Sequence, residues 1–283
     1  MIAAIIISAI LLGVKEIFNK HAVAKNGAMQ VLFLGTLCGS LFYVLMSLCL
    51  YGTAAVHCTS KEFVLVFFKS CIVAASWVCV FLAMRDMPIS LAAPIRSTSP
   101  LWTLIGGIII YTELPGLWQI IGMAFIFIGY YLFSVCGKKE GFKINGKSMI
   151  FILAGTIIGS FSALYDKYIL NVLGLDRVMV QFYFSVDLIP ILAIVAMIFY
   201  KGETLQWRWT IPVFGILLIL ADWFYFYSIS CPNAQISILS LMRRSNVIIS
   251  FTGGYFVFKD RNFKQKAFAL VMILIGTVIL AIS

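Results

Sequence analysis

Ionisable side chains set inside apolar text are the residues of this sequence whose chemistry asks for an explanation. Arg243 and Arg244 stand side by side in a run of Ile, Leu, Ser and Val. Arg96, Lys167, Asp187 and Asp222 are similarly surrounded. A charge in an apolar medium costs at least about 2.5–3.5 kcal/mol, so such groups face a cavity or a partner. The planar fork of a guanidinium fits carboxylate and phosphate. Arg243, Arg244, Arg96 and Lys167 are therefore candidates to hold an anionic group. The alternative pairs Arg243 with Asp222 or Asp187, and Arg96 with a carbonyl or Glu16. Adjacent arginines on a helix lie about 100° apart, so at most one points straight into a shared cavity. Asp222 and Asp187 are candidate proton-coupling carboxylates, or else ion-pair partners of the arginines. Trp77, Trp223, Tyr225 and Tyr227 either line the same cavity or act as packing and interface anchors.

Other chemistries find little support. The seven cysteines form no CxxC, and most sit in apolar runs as small hydrophobes. His21 and His57 have no ligand partners at metal-binding spacing. There is no Ser-His-Asp grouping and no phosphate-cradling glycine loop, so neither an enzyme, a metal nor a cofactor is expected. The net charge of +10 is scattered through short segments without dense Lys/Arg tracts. Nucleic acid is therefore not an expected partner.

The elements positioning these residues must be membrane helices. The 283 residues are 62% hydrophobic and 11% charged, with mean hydropathy +1.04. Soluble domains carry about 25% charged residues, so lipid must cover most of this chain. A spanning helix needs about 20 apolar residues. Ten spans are expected, at 2–23, 28–51, 63–85, 89–111, 115–136, 148–171, 177–200, 209–229, 233–257 and 264–282. Turn signals at Arg85-Asp86-Met87-Pro88, Glu113-Leu114-Pro115-Gly116 and Ser230-Cys231-Pro232-Asn233 divide nearly continuous stretches. Met1–Gly13 lacks the basic start of a signal peptide and is kept as span 1. Pro94 and Pro100 are expected to kink span 4. Gly35xxxGly39 and Gly155xxxGly159 are small-residue faces for close helix packing.

Sliding the chain by 147 residues lays Arg96 on Arg243, Gly106-Gly107 on Gly253-Gly254, Glu113 on Asp260 and Gly129 on Gly276. The same offset lays Phe18-Asn19-Lys20 on Tyr165-Asp166-Lys167. Two copies follow: residues 1–136, a basic linker over 137–147, and residues 148–283. Five spans per copy is an odd number, so the second copy enters the membrane inverted. Two such halves rocking about a central site supply alternating access.

Residues 87–133 contain Pro88-Ile89-Ser90, Ser99-Pro100, Gly106-Gly107, Thr112-Glu113, Gln119, Gly122 and Gly129. This segment resembles the EamA-type repeat of the drug/metabolite transporter superfamily. A second copy is visible over 236–282, with Asp260 in place of Glu and Lys266 where Gln119 stands. The resemblance implies an all-α polytopic protein and a secondary carrier of small metabolites, with spans 1, 3, 4, 6, 8 and 9 around a cavity. Arg243-Arg244 also resembles the two adjacent basic residues of span 9 in the sugar-phosphate/phosphate translocator branch, with Lys167 as its third basic contact. Glu113 and Asp260 read as helix-end or gate residues.

The positive excess falls on alternate loops. Lys20, Lys25, Lys138, Lys139, Lys143 and Lys147 are among the residues on one side, against Lys61 and Arg177 on the other. That distribution puts the first set in the cytoplasm and both termini outside a bacterial inner membrane. The expectation is a secondary transporter of a small polar metabolite, an organic anion first, with a proton or counter-substrate as possible partner. An amino-acid, amine or drug exporter using Asp222, Asp187 and the aromatics is the nearest rival. An intramembrane enzyme and a structural membrane subunit are remote ones.

Overall fold

The computed structural model describes all residues except 24–25, 87–94, 97, 138–145, 200–205, 259–262 and 283. The described elements are α1 (Ile2–Val23), α2 (Ala28–Tyr51), a 3₁₀ turn (Gly52–Val56), α3 (Ser60–Asp86), α4 (Ser99–Tyr111) and α5 (Leu117–Gly137). There follow α6 (Gly146–Lys167) with a π-helical turn at Tyr168–Val172, α7 (Arg177–Ile198), α8 (Thr210–Ser230), α9 (Ile236–Arg244), α10 (Asn246–Phe258) and α11 (Phe263–Ile282). No strand occurs among the described residues.

Most of these helices are apolar around their whole circumference, as a bilayer requires. Their outward faces leave Leu45, Val64, Ile109 and Met197 more than 60% exposed, an outer surface that lipid would cover. Polar residues mark the starts. Thr59 and Glu62 bond reciprocally at the head of α3, and Asp176 accepts from the amides of Val178 and Met179 at the head of α7. Six described helices are long and apolar enough to cross a membrane, and three shorter apolar stretches lie in α4, α5 and α11.

The helices pack in a repeated pattern. α5 lies along α11, and α2 packs on α7. α1 sits between α8 and α10, and α6 sits between α3 and α4. α2 meets α8 as α7 meets α3, and α4 meets α9. The small-residue faces do what their spacing suggests. A Cβ on Gly215 would fall 1.8 Å from the Gly35 carbonyl oxygen, so α2 and α8 touch backbone to backbone. Ser76 of α3 donates to the Gly155 carbonyl at 2.7 Å.

Span 9 is interrupted. α9 ends at Arg244 and α10 begins at Asn246, with Ser245 between. The Ser245 hydroxyl and amide both turn back on the Met242 carbonyl, at 2.7 and 3.2 Å. Thr98, 147 residues earlier, does the same to Ile95 at 2.7 and 3.0 Å, just before α4. The expected kink at Pro100 is not an interior one. Pro100 stands in the first turn of α4, where its missing N–H costs nothing. Pro94 lies outside the described residues.

Candidate functional site

Ionisable side chains collect in three groups. In the first, α4 ends in Thr112, which is left-handed at φ 53°, and this turn presents Glu113. Lys167 at the end of α6 donates to Glu113 and, at 2.8 Å, to the Ala234 carbonyl. The other face of the carboxylate takes the start of α9. The Ile236 amide donates at 2.9 Å, and the Ser237 amide and hydroxyl at 3.3 and 2.9 Å. Glu113 thus satisfies the orphan amides and positive end of that helix. An open depression of about 490 Å³ lies over the pair, lined by Thr112, Lys167, Asn171, Asn233 and Gln235 among others. Asn233, on its opposite lip, is also left-handed at φ 59°.

In the second, Lys69 of α3 pairs with Asp166 of α6. Lys69 is 2% exposed and Asp166 4%, so both are removed from solvent. The ammonium sits 4.2 Å from the Phe184 ring centre and 4.8 Å from that of Phe226. Rings at this distance attract the cation through their electron-rich faces. Tyr225 lies against Asp166, and its own ring carries the Arg243 guanidinium at 3.9 Å. Arg243 in turn pairs with Asp222.

The third group holds Arg244, which is partly buried, and Arg96, which is exposed. Arg244 lies within electrostatic reach of Arg96 and Glu16. Glu16 is bonded by Lys15 at 2.9 Å. Neither Arg244 nor Arg96 makes a side-chain hydrogen bond or ion pair among the described residues. The Arg244 backbone is held instead, its carbonyl accepting from the Tyr130 hydroxyl at 2.6 Å.

The residues singled out from sequence therefore separate. Arg243 and Asp222 satisfy one another, while Arg244 points elsewhere, as adjacent helical positions must. Lys167 belongs to Glu113. Asp187 is 7% exposed, has the Ser70 hydroxyl at 3.5 Å and has no basic partner among the described residues. Trp223 and Tyr227 flank the Arg177 guanidinium, with ring centres 5.0 and 4.7 Å away. Trp77 packs against the main apolar core. Asp260 lies outside the described residues. Sequence reading missed Lys69, Asp166 and Arg177 as site residues. Lys69 was detectable by the rule applied to Arg243, since it interrupts the apolar text of span 3.

Among the described residues no three His, Cys, Asp or Glu side chains converge as a metal site would require. Residues 1–135 match the EamA-like transporter family. No curated protein matches the chain. A solved structure titled only "Crystal structure of protein" shares the fold at a TM-score of 0.81 and 14% identity, over 98% of this chain and 95% of its own.

Proposed function

With residues 1–135 matching the EamA-like transporter family, we propose that the whole chain is a secondary carrier of two inverted five-helix repeats. Exchanging α1 with α6, α2 with α7, α3 with α8, α4 with α9–α10 and α5 with α11 reproduces the main helix contacts. Single contacts repeat as well. A Cβ on Gly106 would meet Leu164 at 2.2 Å, and one on Gly253 would meet Ile17 at 2.1 Å, with both residues of the pair shifted by 147. Such a duplication gives a carrier two related states about a central site. Both termini lie on the non-cytoplasmic side, as the loop charges favour.

The substrate is a small polar metabolite bearing an anionic group, held by Arg244 and Arg96. The observation that carries this reading is that these two guanidiniums and Glu16 interact electrostatically, yet among the described residues no carboxylate is bonded to either arginine, whereas Arg243, Lys69 and Lys167 each have one. Arg244 is partly buried beside the like charge of exposed Arg96, an arrangement that favours an anion, and a phosphate or carboxylate supplies it. Asp187, a buried acid with no basic partner among the described residues, is the proposed carrier of a coupling proton. A thermal-shift screen of purified protein tests the assignment, since a ligand of the folded state raises its apparent stability. Sugar phosphates or carboxylates should stabilise the wild type and leave Arg244→Ala unmoved. Stabilisation by amines alone would favour the amine-exporter reading.

A further inference from the structure

Asp166 and Lys167 are consecutive residues of α6 with opposite charges and different partners. Asp166 holds Lys69 on α3, and Lys167 holds Glu113 at the end of α4. Both pairs join the first half of the chain to the second. The other two ion pairs recorded among the described residues, Lys15–Glu16 and Arg243–Asp222, stay within one half. Neighbouring positions on a helix point about 100° apart, which lets two adjacent side chains reach two separate helices. The helix widens into its π turn immediately afterwards. Such turns cluster where a helix has work to do.

We propose that Asp166 and Lys167 form a two-pronged latch that fastens α6 to α3 and α4 and shuts the face bearing the vestibule over Glu113. Because the prongs have opposite signs, no single small ion replaces both. Each prong is buried, so a partial opening that parts a pair without admitting water leaves its charges unpaired in apolar surroundings, and the face has two discrete states, closed and hydrated, rather than a continuum. Glu113 also caps α9, so the outer prong is tied directly to the helix that carries Arg243 and Arg244. The 147-residue offset places Lys20 opposite Lys167 and Asp260 opposite Glu113, so the sequence holds the residue types for an outer prong at the other face. Asp166, however, corresponds to Asn19, so an inner prong of this kind belongs to one face alone. The latch rests on the two-half carrier reading and is independent of substrate class.

A cysteine at Ser237, 2% exposed behind Glu113, reports on the latch directly. The experiment uses full-length protein in lipid nanodiscs, with its native cysteines replaced, and a membrane-impermeant maleimide. A cysteine at Gln235, on the vestibule wall, serves as the control. Labelling of Ser237→Cys should be slow. It should rise about tenfold or more with Lys167→Met and with Lys69→Met, and stay slow with Lys167→Arg and Lys69→Arg. Labelling of Gln235→Cys should be fast throughout. Rates at Ser237→Cys that stay within about twofold in both Met variants would overturn the latch, as would acceleration accompanied by loss of a cooperative melting transition. Failure of every anion to bind in the thermal-shift screen would sink the substrate assignment and leave this result untouched.

Discussion

Two kinds of arginine coexist in this protein, and they should respond differently to removal. Arg243→Ala strands Asp222 in a site where the carboxylate is 14% exposed. Breaking one partner of a buried pair costs about 3–5 kcal/mol, so this variant should melt markedly lower than wild type. Adding Asp222→Ala to it should restore most of the loss. The same cycle applied to Lys69→Met and Asp166→Leu should behave alike. Arg244→Ala and Arg96→Ala leave no ion-pair partner stranded among the described residues, and their melting midpoints should stay near wild type while anion stabilisation disappears. The sequence alone offered both outcomes for Arg243, as a free cation or as the partner of Asp222. Periodicity could not decide, because the answer depends on which face of α8 meets α9. Lys69 and Asp166 went unassigned for the same reason. Their pairing joins residues 97 apart in sequence, and the aromatic cage around Lys69 comes from two further helices.

At the scale of the element, composition sufficed to predict helices and, closely, their limits, since apolar runs between turn signals leave few alternatives. The interruption at Ser245 was not legible. Serine is an ordinary residue in a helix, and only its hydroxyl bonding back to Met242 shows the local tightening. Pro100 misled in the opposite direction, because continuous apolar text hides a helix start. Two consequences are measurable. Thr112 holds a left-handed conformation that a β-branched residue adopts only with strain. Thr112→Gly should therefore raise stability by about 1 kcal/mol in a thermal or denaturant melt. Gly215→Leu should do the reverse, because the added side chain would meet the Gly35 backbone. Overpacking of about 1–3 kcal/mol or more is expected, seen as low yield of folded protein.

At the scale of the whole molecule, the all-helical membrane class was legible in composition, and six described helices are long and apolar enough to span. A constant offset between rare residues pointed to a duplicated unit, and the contacts of Gly106 with Leu164 and Gly253 with Ile17 follow the same offset. Orientation rests on loop charge, and a reporter fused after Ser283 should be active only when it functions outside the cytoplasm. The proposed function has a duplicated scaffold carrying an anion past Arg244 and Arg96. Uptake into proteoliposomes tests it most directly, with labelled sugar phosphates and carboxylates set against amino acids and amines. Saturable uptake of an anion, lost in the Arg96→Ala/Arg244→Ala double variant at unchanged fold stability, is the predicted result. Uptake confined to amines, or anion uptake indifferent to both substitutions, would contradict it.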